Sequence, residues 1–309
     1  MFRIFGPPGC GKTTTLLNMV DKCLSEGIQS NEIGFFAFSR KAANEAKERA
    51  AHRFNLDPDS DLMYFRTLHS FAYRMLGLRD NQLMKDEHFR ELSSHIGINL
   101  TTIKVTANMA DDELSNSITD HPILSLINLA RLRKIPLRLQ YDQSDLMHTW
   151  NEVDYANRAY VKYKEVNGLC DYTDMLTMFA ESAKEFCPTF KVAFMDEAQD
   201  LCALQWDIAH AIEAKSDKMY VAGDDDQAIY RWAGADPDYL IHLEGGSETL
   251  SQSYRIPAQV HTVAEKIVNR IDHRFTKKYL PREERGSVQR VFRAGELDMS
   301  EGTWLVLAQ

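Results

Sequence analysis

The chain has 309 residues, 44% of them hydrophobic, which is enough for a packed core and favours two domains or one domain with inserts. No apolar run approaches the roughly 18 residues of a membrane span, and no basic stretch precedes an apolar core at the N-terminus, so the sequence predicts neither a membrane segment nor a signal peptide. The net charge of −9 argues against nucleic-acid binding by overall charge, and five scattered cysteines without CxxC spacing argue against a zinc site and fit the cytoplasm.

The first part of the chain alternates apolar runs with helical patterns. "MFRIFG" (1–6) predicts a strand that enters a glycine turn, and a helix follows over 11–27. "EIGFFAFS" (32–39) predicts a buried strand, a helix follows over 40–54, and residues 63–76 begin extended and become helical. Strands that alternate with helices predict an α/β fold with a parallel sheet covered on both faces.

Residues 80–187 break this alternation. They are mostly helical in pattern and rich in charge, with Pro122 and Pro136 as predicted boundaries, and we interpret them as an inserted helical subdomain. The basic run "RLRKIPLRL" (131–139) has two interpretations, a nucleic-acid contact or a solvated helix face.

The last part of the chain returns to short apolar runs. "KVAFMDEAQD" (191–200) and "KMYVAGDDDQ" (218–227) predict buried strands that end in acidic residues. After these come a predicted helix (258–271), a basic connector "HRFTKKYLPREER" (273–285) and two predicted strands (287–294 and 302–309).

The segment "GPPGCGKT" matches the phosphate-loop pattern GxxxxGK[ST] between a predicted strand and a predicted helix, which is the context that the motif requires. Its glycines let backbone N–H groups surround phosphate oxygens, and the helix N-terminus favours negative charge. Lys12 is expected to reach the β- and γ-phosphates, and Thr13 to bind Mg²⁺; the alternative is a glycine-rich turn that precedes a lysine by chance. The predicted nucleotide-binding residues here are Gly6, Pro7, Pro8, Gly9, Cys10, Gly11, Lys12, Thr13 and Thr14.

A second acidic signal follows the predicted strand at 191–195. Asp196 and Glu197 come at its C-terminal end, the edge at which ligands bind in such sheets. We expect Asp196 to hold Mg²⁺ and Glu197 to polarise the attacking water. The alternative is an acidic surface turn.

The blocks "DEAQD" (196–200) and "AGDDDQAIYRWAGAD" (222–236) together resemble superfamily 1 DNA helicases of the UvrD/Rep/PcrA type. The similarity continues, in the family's order and spacing, from residue 6 to about residue 257. The further similar blocks are "FFAFSRKAANEAKERA" (35–50), "FRTLHSFAYRML" (65–76), "LCDYTDML" (169–176) and "LSQSYRIP" (250–257). The resemblance implies a RecA-like P-loop NTPase that uses ATP and Mg²⁺ and moves on single-stranded DNA or a single-strand/double-strand junction, in the 3′-to-5′ direction. A phage-encoded member of the family would work in the host cytoplasm.

The resemblance also implies a domain division and site roles. Residues 1–79 and 188–247 are expected to form the first RecA-like domain, 80–187 the helical insert, and 248–309 the start of a second RecA-like domain. Gln227 is expected to sense the γ-phosphate. The position of the three aspartates after a buried strand further predicts that Asp224 serves beside the phosphate site and that Asp225 and Asp226 only shape the turn. The nucleotide is also expected to meet Arg255 at the γ-phosphate and Tyr254 at the adenine.

The predicted single-stranded DNA path is aromatic and polar. Stacking on aromatic rings suits a motor that must pass every base. Two members have alternative interpretations, because Phe38 fits a core position and a lone His69 fits a structural histidine. The predicted DNA-binding residues are Phe38, Ser39, Arg40, Thr67, His69, Tyr230 and Trp232.

The sequence departs from the family pattern in three places. The phosphate loop begins at residue 6, so we expect the family's adenine-reading glutamine segment to be missing. Ala233 stands where the family often has arginine. Only 52 residues follow "SYRIP", which is short for a domain. This predicts an incomplete motor, either truncated or completed by a separate chain that supplies the missing motifs. The alternative function is a nucleotide-binding DNA-interaction or regulatory module without motor activity. A P-loop kinase would leave "DEAQD" and "GDDDQAIYRW" without a role.

Overall fold

A parallel sheet forms the centre of the computed structural model, which describes residues 1–100, 121–291 and 299–301. Its strands are β1 (Phe2–Phe5), β2 (Ile33–Ala37), β3 (Phe65–Thr67), β4 (Phe190–Met195), β5 (Ser216–Gly223) and β6 (Ser247–Thr249). They lie in the order β3-β2-β4-β5-β1-β6, and every neighbouring pair is parallel. The predicted α/β fold with a parallel sheet is confirmed.

Consecutive residues of the buried strands supply a separate core on each face of the sheet. All five residues of β2 are buried, and Phe35 and Phe36 point to opposite faces, as the period of a strand requires. Phe35 belongs to the same hydrophobic cluster as Leu16, whereas Phe36 belongs to the cluster that contains Trp206. Helical layers therefore cover both faces, which explains why these strands are almost continuously apolar.

The helices that follow the first three strands begin at local sequence signals. They are α1 (Lys12–Ser25), α2 (Arg40–Phe54) and α3 (Leu68–Met75). The Ser39 hydroxyl accepts a hydrogen bond from the Ala42 N–H (3.2 Å), and the Thr67 hydroxyl accepts one from the Ser70 N–H (3.2 Å). Each of these caps satisfies a backbone donor that the helix itself leaves free.

A helical segment separates β3 from β4. Its described helices are α4 (Asp86–Ile96), α5 (Pro122–Leu132), α6 (Leu137–Asp142), α7 (Trp150–Asn167) and α8 (Tyr172–Phe186). The segment has its own hydrophobic cluster, which includes Leu124, Val153 and Tyr160. Pro122 is the first residue of α5, and Pro136 directly precedes α6, so both predicted boundaries are confirmed.

The remaining elements are helices α9 (Ala203–Ala214), α10 (Asp238–His242) and α11 (Ala258–Val268) and a two-stranded parallel sheet of β7 (Gln252–Pro257) and β8 (Leu280–Arg282). The helix predicted over 258–271 ends at Val268. Of the strand predicted over 287–294, residues 287–291 form no strand and the rest lies outside the described residues, as does the strand predicted over 302–309. No helix in the described part of the chain is long and apolar enough to cross a bilayer.

Candidate nucleotide and nucleic-acid site

The phosphate loop connects β1 to α1 and contains two glycines in the left-handed region, Gly9 (φ 73°) and Gly11 (φ 87°). A side chain at Gly9 would also collide with Arg255, because a Cβ there would lie 2.2 Å from the Arg255 Cβ. The Lys12 ammonium is buried and donates a hydrogen bond to the Gly6 carbonyl (3.1 Å). The loop therefore has the backbone conformation and the buried cation that a phosphate group requires.

Thr13 and Asp196 meet at the carboxyl end of the sheet. The Thr13 hydroxyl donates to Asp196 Oδ2 (2.6 Å), and the carboxylate is almost fully buried. Burial, followed by the neighbouring Glu197, raises the Asp196 pKa to about 6. The Thr13 hydroxyl and the Lys12 ammonium lower this pKa but do not outweigh the burial. A hydroxyl with a carboxylate oxygen is a donor set that fits Mg²⁺. Among the described residues no group of three or more acidic, His or Cys side chains could hold a metal ion.

Glu197 has an unusual backbone conformation for a residue with a side chain. Its φ is 52°, in the left-handed region, which costs roughly 1–2 kcal/mol. Two hydrogen bonds support this conformation: the Glu197 N–H donates to Asp196 Oδ1 (3.0 Å), and Gln199 Nε2 donates to Glu197 Oε2 (2.9 Å). Strained residues held in this way concentrate at functional sites.

Gln199 connects the two acidic blocks, a role that the sequence reasoning missed. Its amide nitrogen donates to Glu197 and to Asp200 Oδ2 (3.1 Å), and its amide oxygen accepts from the Asp224 N–H (3.0 Å). Burial, followed by Glu197, raises the Asp200 pKa to about 7. The signal was present in "DEAQD", where a glutamine that is buried beside two carboxylates must use its donors on them.

Asp224, Asp225 and Asp226, here called the aspartate socket, bind a basic segment from the end of the chain. Lys277 has a fully buried side chain and forms ion pairs with all three, at 3.0 Å to Asp226 and 3.3 Å to Asp224. Arg274 donates to both oxygens of Asp226, at 2.8 and 2.6 Å. The expectation that Asp225 and Asp226 only shape the turn is therefore wrong, since both carboxylates pair with cations.

The basic partners of the socket were visible in the sequence as the connector 273–285. Spacing alone gave no reason to bring this connector to residues about 50 positions earlier, because the pairing depends on how the later segment folds back.

The segment "SYRIP" packs directly on the phosphate loop. The Ser253 hydroxyl donates to the Pro8 carbonyl (2.7 Å), and the Tyr254 N–H donates to the Gly9 carbonyl (3.0 Å). The Tyr254 ring is 73% exposed, so its face is open to a stacking partner. Gln227 lies in a short 3₁₀ turn, and its amide nitrogen donates to Asp224 Oδ2.

A row of aromatic rings leads away from this site. The Phe38 and Tyr230 ring centroids lie 5.6 Å apart, and those of Tyr230 and Trp232 lie 6.3 Å apart. Trp232 is 64% exposed, which is unusual for so large an apolar side chain. Phe38 is partly buried, and its ring contacts both the hydrophobic core and Tyr230 of the exposed row.

A family model for the UvrD/REP helicase N-terminal domain matches residues 2–246. The chain belongs to this family. Similar curated proteins include an ATP-dependent DNA helicase PcrA of Leuconostoc citreum, 24% identical over 303 residues that cover 94% of this chain and 40% of PcrA. DNA helicase II of Escherichia coli (strain K12) is 24% identical over 284 residues, covering 87% of this chain and 38% of that protein. The chain thus spans about two fifths of the length of both relatives.

Among solved structures, VirB4 of Thermoanaerobacter pseudethanolicus overlaps with 12% sequence identity over 88% of this chain and 81% of that chain. The TM-score of 0.31 is too low to indicate a shared fold.

The other predicted DNA-binding residues lie at or near the starts of α2 and α3. Ser39 and Thr67 cap α2 and α3, and Thr67 and His69 are buried, which favours structural roles for these side chains. Arg40 is exposed at the first position of α2. Their contacts to DNA stay predictions.

In the phosphate loop, the Pro7 carbonyl accepts from the Cys10 N–H (3.2 Å). The Cys10 thiol is buried, and this burial raises its pKa. The exposed Thr14 hydroxyl accepts from Arg49 (3.0 Å), so Thr14 helps to join α1 to α2.

Proposed function

We propose that the chain binds and hydrolyses ATP as the N-terminal part of a DNA helicase or translocase. The observation that carries this proposal is the meeting of the phosphate loop with the Thr13–Asp196 pair and the strained Glu197 at one edge of the parallel sheet. Membership of the UvrD/REP family supports the reaction class. In this proposal Lys12 binds the β- and γ-phosphates, and Glu197 polarises the attacking water.

Thr13 and Asp196 would hold Mg²⁺, which when bound neutralises phosphate charge. Arg255 stabilises negative charge at the γ-phosphate. It lies beside the phosphate loop, because it occupies the space that a side chain at Gly9 would need and the preceding Tyr254 N–H donates to the Gly9 carbonyl. Tyr254 stacks on the base with its exposed ring. Gln227 senses the γ-phosphate from its position beside Asp224.

The proposed nucleic-acid contact is the row formed by Phe38, Tyr230 and Trp232. Stacking on such rings contributes about 1–3 kcal/mol per base and tolerates every sequence. It also suits a chain with a net charge of −9, for which overall electrostatic attraction to DNA is unfavourable. Single-stranded DNA, alone or at a junction with duplex, is the substrate class that this row fits best.

The alternative is a nucleotide-binding module without motor activity. The chain spans about two fifths of the length of the two helicases it resembles. A translocating motor needs elements that grip the strand in turn as nucleotide is bound and released.

The test is ATP turnover by the purified chain with Mg²⁺, with and without single-stranded DNA. We expect DNA to stimulate turnover, and expect Lys12→Ala and Glu197→Gln to lower kcat on the order of 10²-fold or more. Lys22→Ala is the matched control, because Lys22 lies on the same helix with its side chain 75% exposed. Tight nucleotide binding without turnover would support the module, and phosphoryl transfer to a small acceptor without DNA would contradict both proposals.

A further inference from the structure

Residues 274–279, here called the strap, close over the aspartate socket from the end of the chain. Phe275 stacks on Phe5 of β1, with ring centroids 4.1 Å apart and planes within 7°. The Phe275 N–H donates to Asp225 Oδ2 (2.8 Å). The strap therefore binds the first sheet through an aromatic contact and a backbone hydrogen bond in addition to its charges.

Asp224 is the member of the socket that contacts the proposed reaction site. Its Oδ1 accepts from the Tyr279 hydroxyl (2.8 Å) and pairs with Lys277 (3.3 Å), while its Oδ2 accepts from the Gln227 amide. Its backbone N–H donates to Gln199, which in turn donates to Glu197. Asp224 thus joins the strap to Gln227 through its carboxylate, and to Glu197 through its backbone N–H and Gln199.

These contacts let the strap influence the orientation of the Gln227 side chain. Gln227 lies in a single 3₁₀ turn and is only partly buried, so its amide has little packing to fix its orientation. Asp224 fixes that orientation only while its own oxygens are held, and three donors hold the other oxygen: the Tyr279 hydroxyl (2.8 Å), Lys277 (3.3 Å) and the Asp226 N–H (3.3 Å). Loss of the strap would remove two of these three donors and leave the Asp226 N–H, so Asp224 would rotate more easily and hold Gln227 less firmly.

We propose that Tyr279 and Lys277 are positioning residues that hold Gln227 for γ-phosphate sensing through Asp224. The inference rests on the proposed nucleotide function and deepens it. It makes γ-phosphate recognition depend on a segment that lies beyond residues 2–246, the part of the chain that the family model matches.

The first experiment measures binding without hydrolysis. The affinities of ADP and of a non-hydrolysable ATP analogue are measured with Mg²⁺, and their ratio reports recognition of the γ-phosphate. We expect the wild-type chain to prefer the analogue, and expect Tyr279→Phe and Lys277→Met to lower that preference about fivefold or more while ADP binding changes less than about twofold. Lys277→Arg should restore part of the preference. Lys278→Met is the matched control, because Lys278 is the next residue and is exposed.

The second experiment asks whether Tyr279 acts through Gln227. In kcat, Tyr279→Phe alone is expected to cost about tenfold, as small losses of positioning do. The variant that combines Tyr279→Phe with Gln227→Ala should turn over no more slowly than Gln227→Ala alone, because the hydroxyl then has nothing left to position.

The outcomes separate this inference from the function on which it rests. A wild-type chain that binds both nucleotides without turnover would remove hydrolysis from the proposal, and the affinity ratio would still decide the role of the strap. Strap variants that lower only the melting temperature, with the ratio unchanged, would overturn the inference. Equal wild-type affinity for ADP and the analogue would also overturn it, as would additive kcat effects.

Discussion

The helical segment and the edge of the sheet each contain a buried cluster of charges, and the two clusters are built differently. In the helical segment two acids face two cations, so the charges balance. Lys164 contacts Asp171 and Asp174 at 2.5 Å each, and Arg131 contacts both. The Tyr160 hydroxyl donates to Asp171 (2.8 Å). We call these five residues the insert network.

The aspartate socket has three carboxylates for the two cations Arg274 and Lys277. The two clusters also differ in the direction in which the pKa of a buried carboxyl is shifted. Burial alone would raise the Asp171 pKa, but Arg131 and Lys164 outweigh it and hold that pKa below its ordinary value. Burial also raises the Asp224 pKa, and the opposing effects of Lys277 and of the hydrogen bonds from Gln227 and Tyr279 are too small to bring that pKa back to its ordinary value.

The comparison indicates that buried charges serve two purposes in one chain. The insert network joins α5, α7 and α8, and Asp171 also caps α8 by accepting from the Asp174 N–H (2.6 Å). It therefore fixes the packing of helices. The socket instead joins segments about 50 residues apart beside Gln227, and its excess of carboxylates makes it depend on the strap.

The largest expected effect is in the insert network. Lys164→Met removes a cation whose side chain is only 7% exposed and leaves two carboxylates with Arg131 alone. Removing one partner of a buried ion pair costs about 3–5 kcal/mol. Urea unfolding should show a loss of this size, without a change in the nucleotide preference of the protein that remains folded.

The control for Lys164→Met is Lys162→Met on the same helix, where the side chain is 72% exposed and pairs with Glu165. Exposed pairs contribute at most about 1 kcal/mol, so this variant should unfold almost as the wild type does. Equal losses for the two lysines would mean that the insert network contributes no special stability.

Much of the fold could be predicted because its signals are local. The phosphate loop needs its glycines and Lys12 within eight residues, and each buried strand is one apolar run. Pro122 and Pro136 marked helix starts for the same reason. The candidate nucleotide site could also be predicted, since the residues that follow parallel strands lie together at the carboxyl edge of the sheet.

The parts that could not be predicted depend on contacts between distant segments. Nothing near Asp226 in the sequence indicates Arg274, and "HRFTKKY" looks like a solvated connector until the chain folds back. Ser39 and Thr67 show a second limit, because serine and threonine before a helix serve equally as caps or as ligands. Only their burial and hydrogen bonds favour the first role.

The second-largest expected effect is the pH dependence of the unfolding free energy that Asp171 of the insert network contributes. Because the folded-state pKa of Asp171 is below its ordinary value, its contribution to stability is present above about pH 4 and is lost as the pH falls toward the folded-state value. The groups that face it are Arg131, Lys164, Asp174 and Tyr160. Asp171→Asn should therefore cost about 2 kcal/mol near neutral pH, and the difference from wild type should shrink as the pH falls from about 5 to 2. Unfolding free energies across that range measure it, and a difference independent of pH would contradict the ion pairing.

The smallest expected effect on global stability is in the socket. Lys277→Met leaves three carboxylates beside Arg274, but the strap can open locally and let them reach water without unfolding the sheet. We expect a change in unfolding free energy below about 1 kcal/mol, together with faster hydrogen exchange of the Phe275 amide, which donates to Asp225. Lys278→Met should leave that amide protected. A global loss as large as that of Lys164→Met would show that the socket, like the insert network, holds the fold together, and the contrast between the two clusters would then fail.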